Sequence, residues 1–329
     1  MSMRRSSVKR VAIVLTITAS SLLFFARAFG NSAQHPTTDG GVLHAKPSML
    51  SPEDDVDLRL VAGTVASLRI IHTDSMDPDI PAAAKPLLTA LKHQLRDLIA
   101  NRLRFEKRQV STQQLQARAI VDLSNLDLIN NEEGCVIVDA NYVDRGYDYG
   151  DIESITVTRP HYDFDVIAVT TTVGICCGED TSLYLFKYEN EEWRLWLADE
   201  KNDYDRIDSA HGLFEFGLSW PDENKDYFVV TASVNPWCTS NWQSITYRVL
   251  RPGPAPYEPR MLLSRAQTIY LGAGDPPYRL EVDDSSFTLR FYGDKYEDFV
   301  SKGGEGDADD ESIKEIVQLR VKGDAVIEK

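Results

Sequence analysis

The sequence repeats itself 61 positions later without a gap. Residues 155–188 align with residues 216–249, and six of the 34 aligned positions are identical. Substitutions between the two segments keep the character of each position, as in Ile155/Phe216 and Lys187/Arg248. A fixed period of this size is typical of a supersecondary unit that is used more than once. The repeat therefore predicts an architecture, and by itself it indicates no activity.

From about residue 135 onward the pattern is that of β-strands. Alternating, β-branched and aromatic-rich segments are separated by Gly, Asn and Asp clusters, which favours strands joined by turns. Four antiparallel strands per unit, repeated, is the plan of a β-propeller blade. We therefore predict a mainly β fold that is β-propeller-like, partial or small, with a duplicated β-sandwich as the alternative. The predicted repeat domain spans 110–329, with units at about 150–209, 210–268 and 269–329.

The apolar phase of the third strand supports stacked sheets. Every second residue in this strand is apolar in both copies: Tyr184, Phe186 and Tyr188 align with Ile245, Tyr247 and Val249. Since alternate residues of a strand share one face, one face of the sheet stays apolar while the other face is free to vary. Sheets that pack face to face require such an apolar face.

The first 30 residues have the pattern of a signal peptide. A basic start is followed by an uncharged, mostly apolar run over 11–25 and then by small residues near 26–30. The run is short for a membrane span, which needs about 20 residues. We therefore expect an exported protein, periplasmic or extracellular, with no stable membrane span after cleavage and a flexible leader over 31–50. An uncleaved N-terminal anchor is the alternative.

Charge limits the class of partner. The formal net charge is −16, and it becomes −21 once the signal, with five basic and no acidic residues, is removed. Binding of nucleic acid needs clustered Lys and Arg residues that displace counterions from phosphates. We therefore expect no nucleic acid among the partners of this protein, and an extracellular or envelope protein or a glycan instead.

Residues 51–109 are predicted to contain strand and helix. Val56, Leu58 and Leu60 alternate, which suggests a strand within 56–72. Leucines at three- and four-residue spacing then predict one long amphipathic helix over about 86–105. The other face of this helix is basic. It could lie on an anionic membrane surface or bind a partner, or its cations could meet an acidic neighbouring part of the same chain.

The four cysteines are candidates for two disulfides: Cys135, Cys176, Cys177 and Cys238. Export permits disulfides, and an even count allows two bridges. Adjacent cysteines rarely bond to each other, and the repeat places the Cys176-Cys177 pair and Cys238 in corresponding loops. We therefore predict that Cys238 bonds to one of the pair and that Cys135 bonds to the other. Metal binding by this set is the alternative, although no Cys-x-x-Cys spacing supports it.

The loops that carry these cysteines also carry candidate binding residues. Two tryptophans and nearby polar side chains can form a patch on which a sugar or a peptide stacks, because aromatic rings pair an apolar face with a polar edge. A disulfide wrapped by packing tryptophans is the alternative. The predicted contact residues are Trp237, Asn241, Trp242, Glu179 and Asp180.

A candidate cation site lies between two predicted strands of the second copy. Asp222, Asn224 and Asp226 spell D-x-N-x-D, and oxygens at alternate positions can converge on Ca²⁺. The loop loosely resembles the calcium loops of FG-GAP propeller repeats, which implies a bound Ca²⁺ ion, but Lys225 and Tyr227 replace the glycines of that pattern. An ordinary solvated turn is the alternative, and no other cofactor is expected.

Standard catalytic signatures are missing from the sequence. It contains no H-E-x-x-H, G-x-S-x-G or phosphate-binding glycine loop, and its six histidines are scattered. We therefore expect an exported, acidic, non-enzymatic binding protein that uses the Cys- and Trp-containing loops. The alternative is a secreted hydrolase with a glycosidase-like pair of carboxylates, which an acidic sequence also allows.

Overall fold

The mainly β fold predicted from the alternating segments is confirmed. The computed structural model describes residues 52–73, 78–129, 147–161, 165–221, 227–236, 240–273, 276–303 and 311–328. These described residues form three four-stranded antiparallel sheets, each with its strands in chain order. Sheet 1 contains β1 (Ile152–Thr158), β2 (Val166–Ile175), β3 (Gly178–Glu189) and β4 (Glu192–Asp199). Sheet 2 contains β5 (Gly212–Leu218), β6 (Val229–Val234), β7 (Trp242–Arg251) and β8 (Arg260–Tyr270). Sheet 3 contains β9 (Tyr278–Val282), β10 (Ser286–Phe291), β11 (Glu315–Lys322) and β12 (Ala325–Glu328).

The sheets stack face to face through two apolar layers. Val166, Leu183 and Leu185 of sheet 1 share a core with Leu218 and Val229 of sheet 2. The opposite face of sheet 2 packs against sheet 3 in a second core, whose members include Val230, Tyr247, Val249, Phe287 and Leu289. Within the described residues the strands close into neither a barrel nor a propeller ring.

Three helices precede sheet 1 where the sequence predicted strands and one long helix. They are α1 (Pro52–Arg69), α2 (Ala84–Arg104) and α3 (Thr112–Ser124), and a fourth helix, α4 (Asp294–Ser301), connects β10 to β11. The described part of the predicted 51–109 region is therefore helical, and the β-sheets begin later than residue 110 because α3 occupies the start of that range. In place of the predicted single long helix, α1, α2 and α3 form a layer of three helices, which we call the helical layer.

The strand predicted within 56–72 is wrong for a clear reason. Leu58, Val61, Val65 and Leu68 are the buried residues of α1, and their spacing of three and four residues defines one face of a helix. The alternating residues that suggested a strand do not share a buried face, since Val56 and Leu60 are exposed. The segment contains apolar residues at both helical and alternating spacing. The residues at helical spacing are the ones that are buried.

α2 packs its leucine stripe inward and its cations against acidic residues of the same chain. Leu88, Leu91 and Leu95 are buried in a core shared with α1 and with the outer face of sheet 1. Arg96 forms an ion pair with Glu200 at 3.2 Å, and Arg102, Arg104 and Lys92 pair with Asp122, Glu192 and Asp180. Of the two interpretations of this basic helix, the intramolecular one accounts for all four cations.

The two copies of the repeat differ in the length of one hairpin. Val169 of β2 pairs with Tyr184, whereas Val230, 61 residues later, pairs with Val249 rather than with Ile245. Val230 and Val249 are therefore separated by four more residues than Val169 and Tyr184 are. Since four is an even number, the alternation of side chains across β7 is unchanged, which is why a gapless alignment still matched apolar with apolar residues.

A buried ionic cluster ties the helical layer to sheet 1. The Lys92 Nζ atom lies 2.6 Å from Oδ2 of Asp180, and both side chains are only 1% exposed. Lys92 also donates to the carbonyl oxygen of Lys201. The Tyr204 hydroxyl donates to the same Asp180 oxygen at 2.9 Å, and the backbone N–H of His211 donates to the other oxygen at 3.1 Å. The Asp180 carboxylate thus joins α2, β3 and the β4–β5 connection.

Removal of the Lys92 ammonium group is expected to destabilise the fold strongly. Lys92→Met leaves the Asp180 carboxylate buried without its cation, which typically costs about 3–5 kcal/mol of unfolding free energy. Lys85→Met is the matched control on the same helix, because Lys85 pairs with the exposed Asp205 carboxylate, and exposed pairs contribute about 0–1 kcal/mol. Urea denaturation followed by circular dichroism measures both variants. Equal midpoints for the two would contradict this account of the cluster.

Candidate functional site

The predicted binding loops lie at one end of the stacked sheets. The β2–β3 turn, the β6–β7 connection and the connections from sheet to sheet all leave the strands at this end. We call it the connecting end. Its described connections are residues 176–177, 200–211, 235–236, 240–241, 271–273, 276–277, 292–303 and 311–314. β5 ends and β6 begins at the opposite end, and the predicted cation ligands Asp222, Asn224 and Asp226 lie outside the described residues.

The two cysteine-bearing loops approach each other at the connecting end. A Cβ atom added to Gly178, which follows the Cys176-Cys177 turn, would lie 2.4 Å from Cβ of Pro236 in the β6–β7 connection. Only a glycine allows this approach of the two loops. Cys177 has a φ of 64°, the left-handed conformation of a tight turn. Cys135 and Cys238 lie outside the described residues, so the pairing of the cysteines stays a prediction.

Trp242 begins a row of aromatic rings at the connecting end. Trp242 and Tyr270 are direct cross-strand neighbours on β7 and β8, with ring centroids 4.8 Å apart. The Tyr270 ring stacks on that of Tyr296 in α4 at 5.3 Å, and Tyr296 meets the edge of Tyr292 at 5.3 Å. Lys314 lies over the Tyr292 ring at 5.5 Å. We call Trp242, Tyr270, Tyr296 and Tyr292 the aromatic row.

The rings of the aromatic row are only partly covered by the protein. Tyr292 is buried, whereas Trp242, Tyr270 and Tyr296 are half-buried and keep part of their surface in solvent. The backbone holds the row in place: the Leu271 N–H donates to the Asn241 carbonyl at 2.8 Å, and the Tyr270 N–H donates to the Tyr292 carbonyl at 2.7 Å. Aromatic side chains in such partly exposed positions provide contact area at low entropic cost.

Small side chains continue this surface along β7 and β8. Behind the Trp242–Tyr270 pair, Ser244 lies opposite Thr268 and Thr246 lies opposite Ala266, and side chains of directly paired residues share one face. All four are half-buried or exposed. We call these four residues the β7–β8 strip. Together with the aromatic row, the strip forms a surface of stacking rings and hydroxyl groups.

The other predicted contact residues have different positions. Asn241 is exposed and directly precedes Trp242. Glu179 is half-buried beside the Cys turn. Asp180 lies in the buried cluster with Lys92, so its carboxylate does not belong to the surface of the aromatic row. Trp237 lies outside the described residues.

Three residues of the aromatic row were missed by the sequence analysis. Tyr270 was missed because only the pairing of β7 with β8 brings it next to Trp242. Tyr292 and Tyr296 were missed because they belong to a later unit and meet β8 only through the fold.

Beneath the connecting end, His211 is a buried imidazole between two ion pairs. The pairs are Lys92–Asp180 and Arg248–Asp199, the latter at 2.6 Å. Burial lowers the pKa of His211 to about 4; the nearby Asp199 and Asp180 raise it and the nearby Arg248 and Lys92 lower it. Within the described residues its Nδ1 atom is buried without a hydrogen-bond partner. His211 is therefore neutral at pH 7.

A second perturbed group is the Glu215 carboxyl on β5. Burial raises its pKa, and the backbone N–H of Leu280, which donates to Oε2 at 3.0 Å, acts in the opposite direction. Burial also raises the pKa of the Tyr278 hydroxyl, with smaller contributions from Glu215 and Glu179. Tyr278 donates to the carbonyl of Leu213 at 2.5 Å, so these groups link β5 to β9.

Comparisons with protein-family models, with curated proteins and with solved structures found no match to this chain. Across the described ranges, no helix has the length and apolar character needed to cross a membrane. Nor do the described residues bring three or more His, Cys, Asp or Glu side chains together in a metal-binding group. The Ca²⁺ site predicted at 222–226 lies outside these ranges and stays a prediction.

We predict that Cys238 bonds to the Cys176-Cys177 turn. The contact between Gly178 and Pro236 brings the two loops together, and a bridge there would contribute about 2–4 kcal/mol. Mass spectrometry of a non-reduced digest is expected to show the Cys238 peptide linked to the peptide that carries Cys176 and Cys177. A Cys238→Ser variant serves as the control for assignment of the linked peptide. Four free thiols in the oxidised, exported protein would contradict the pairing.

His211 is expected to make the fold sensitive to mild acid. Its folded pKa of about 4 lies below the ordinary value of 6.5, so the unfolded state takes up the proton first as the pH falls. The contribution is therefore full above pH 6.5 and is lost between pH 6.5 and 4, by about 3 kcal/mol. We expect His211→Gln to reduce the slope of unfolding free energy against pH in this window, measured by urea denaturation. The exposed His72→Gln variant is the control, and identical slopes for wild type and His211→Gln would contradict the assignment.

Proposed function

We propose that the protein is an exported binding or interaction module whose contact surface is the connecting end, centred on Trp242. The observation that carries the proposal is the aromatic row beside the β7–β8 strip. Trp242, Tyr270 and Tyr296 offer partly exposed rings, and the strip beside them offers hydroxyl groups. A surface of this kind pairs apolar stacking area with hydrogen-bonding groups, which suits a glycan or a peptide ligand.

The proposal includes the arrangement of the sheets and the cysteines. A stack of three antiparallel sheets is what an incomplete propeller-like fold would contain, and the predicted bridge from Cys238 would fix the β6–β7 connection next to Trp242. A fixed loop loses less conformational entropy when a ligand binds. The disulfide would thus support the binding surface without contacting the ligand.

A glycosidase-like hydrolase is the second candidate, and Glu215 is the observation that favours it. Burial raises the pKa of its carboxyl group, and a raised pKa is typical of a general acid. Its carboxylate is engaged by the Leu280 N–H, and it lies between β5 and β9. Catalysis would require this group to reach a substrate. If Glu215 were the general acid, a Glu215→Gln variant would lose hydrolysis of a bound glycan without losing its binding.

The binding proposal is tested with a combined glycan and peptide array on the mature protein. We expect Trp242→Ala to lose at least about tenfold in affinity for any captured ligand, because stacked aromatic contacts commonly contribute more than 1 kcal/mol. Trp220→Ala is the matched control, because Trp220 is a partly exposed tryptophan beyond the end of β5, at the opposite end of the sheets. Equal affinity of Trp242→Ala and the wild type would remove the aromatic row as the site.

A further inference from the structure

β8 is an edge strand with an exposed central segment. It pairs only with β7 in sheet 2. From Ser264 to Thr268 five consecutive side chains are exposed, which means that both faces of the strand are open to solvent here. An exposed edge strand is a template for pairing with another chain, and folded proteins usually cover or disrupt such edges.

The alternation of hydrogen-bonded pairs between β7 and β8 shows which backbone groups of β8 can bind another strand. The Leu271 N–H donates to the Asn241 carbonyl, so this pair is hydrogen-bonded and the alternate residues Ser264, Ala266 and Thr268 direct their backbone groups away from β7. Tyr270 also directs its backbone groups away from β7, and its N–H donates to the Tyr292 carbonyl. Among the described residues no backbone hydrogen bond engages the outward groups of Ser264 and Ala266.

Two other edges of the stack, β1 and β4, are partly covered by the chain itself. The first residue of β1, Ile152, forms a bridge with Ile129, and its N–H donates to the Leu128 carbonyl. On the outer side of β4, the Ala198 N–H donates to the Pro256 carbonyl at 2.8 Å. β8 differs because its central segment has no such cover in the described residues.

The positive charge of β7 and β8 indicates which kind of partner chain fits the β8 edge. β7 and β8 contain four arginines and no acidic residue, within a sequence of formal charge −16. Arg260 and Arg265 lie on β8, and both are about half exposed in ion pairs with Asp324 and Glu328. Exposed pairs of this kind are weak and exchange readily. A second copy of β8 would bring arginines against arginines, which is unfavourable.

We propose that the β8 edge binds an acidic, extended segment of a partner protein by strand addition; this rests on the proposed binding function and names its partner. Backbone bonds to Ser264 and Ala266 supply the affinity, as in other complexes formed by strand addition. Residues of the added strand opposite Arg265 share its face and are acidic. Residues opposite Ser264 and Ala266 share the face of the β7–β8 strip and are aliphatic or aromatic, because the small side chains there leave room. The added strand therefore alternates acidic and apolar residues.

Three fluorescein-labelled peptides test the proposal. The first is a decapeptide of alternating Glu and Val; the second has Lys in place of Glu; the third has the first sequence with alternate backbone nitrogens methylated. Anisotropy titrations with the full mature protein are expected to show binding of the first peptide. We expect the affinities of the other two peptides to be lower by about tenfold or more. The methylated peptide isolates the backbone bonds, each worth about 0.5–1.5 kcal/mol.

Two variants separate strand addition from binding by the aromatic row. Ala266→Pro removes an outward N–H that the β7–β8 ladder does not use, and proline is tolerated at such edge positions. Ala266→Ser keeps this N–H and is the matched control. We expect Ala266→Pro to weaken binding of the Glu-Val peptide roughly tenfold, with Ala266→Ser unchanged. Circular dichroism confirms folding of both, and in the wild type the amide protons of Ser264 and Ala266 are expected to gain hydrogen-exchange protection on binding.

The outcomes distinguish this proposal from the function on which it rests. Equal binding of the peptide to Ala266→Pro and Ala266→Ser, or no binding to the wild type at millimolar concentration, overturns strand addition. In either case a Trp242-dependent ligand on the array would still support the proposed function. A concentration-dependent dimer that Ala266→Pro abolishes, seen by light scattering, would show that a second copy occupies the edge and would overturn the acidic partner.

Discussion

The contact on which the rest of the structure depends is the buried carboxylate of Asp180. It receives the ammonium group of Lys92, the hydroxyl of Tyr204 and the backbone N–H of His211. These donors come from α2 and from two points of the connection between sheets 1 and 2. A buried carboxylate is costly unless it is fully compensated, so the cluster forms only when helix, sheet and connection are all in place. The cluster therefore favours one position of the helical layer and of the β4–β5 connection.

That position leaves part of sheet 2 uncovered. β4 ends at Asp199, whose carboxylate pairs with Arg248 on β7. Beyond this ion pair Leu250 is buried in the core that is shared with sheet 1, whereas on the other side of it Ser244 and Thr246 keep part of their surface in solvent. The Asp199–Arg248 pair thus marks the limit of the surface that sheet 1 covers. The residues of the β7–β8 strip take no part in the core between sheets 1 and 2, and their small side chains suit that exposure.

The sequence was sufficient for the sheets because side-chain alternation survives changes in loop length. Val230 pairs with Val249, four residues beyond the partner that the repeat predicts, yet a shift by an even number of residues keeps each residue on the same face. The third predicted unit, at about 269–329, likewise contains the four strands of sheet 3, because alternating apolar residues are visible there in the sequence. The strands could be predicted from local periodicity alone, without knowledge of long-range contacts.

The helical layer and the proposed binding surface were harder to predict for two different physical reasons. In α1 the residues Val56, Leu58 and Leu60 alternate by chance, and only burial in the folded protein distinguishes them from the helical set. The aromatic row joins β7, β8 and α4, which are distant in sequence, so only Trp242 was predicted from it. The role of Asp180 was also hidden, because its neighbours Glu179 and Cys177 lie near the surface while its own side chain points to Lys92.

The negative net charge of the chain and the positive charge of the β8 edge both disfavour contact between two copies of the protein. An acidic protein repels other copies of itself, and the arginines of β7 and β8 also repel the same strands of a second copy. An exposed strand can then remain open without self-association, which unprotected edges otherwise promote. In the strand addition proposed above, the same arginines attract an acidic segment of another protein, and the neighbouring aromatic row would extend the contact along that segment. In this proposal the positive charge of the edge disfavours a second copy of the chain and favours an acidic partner.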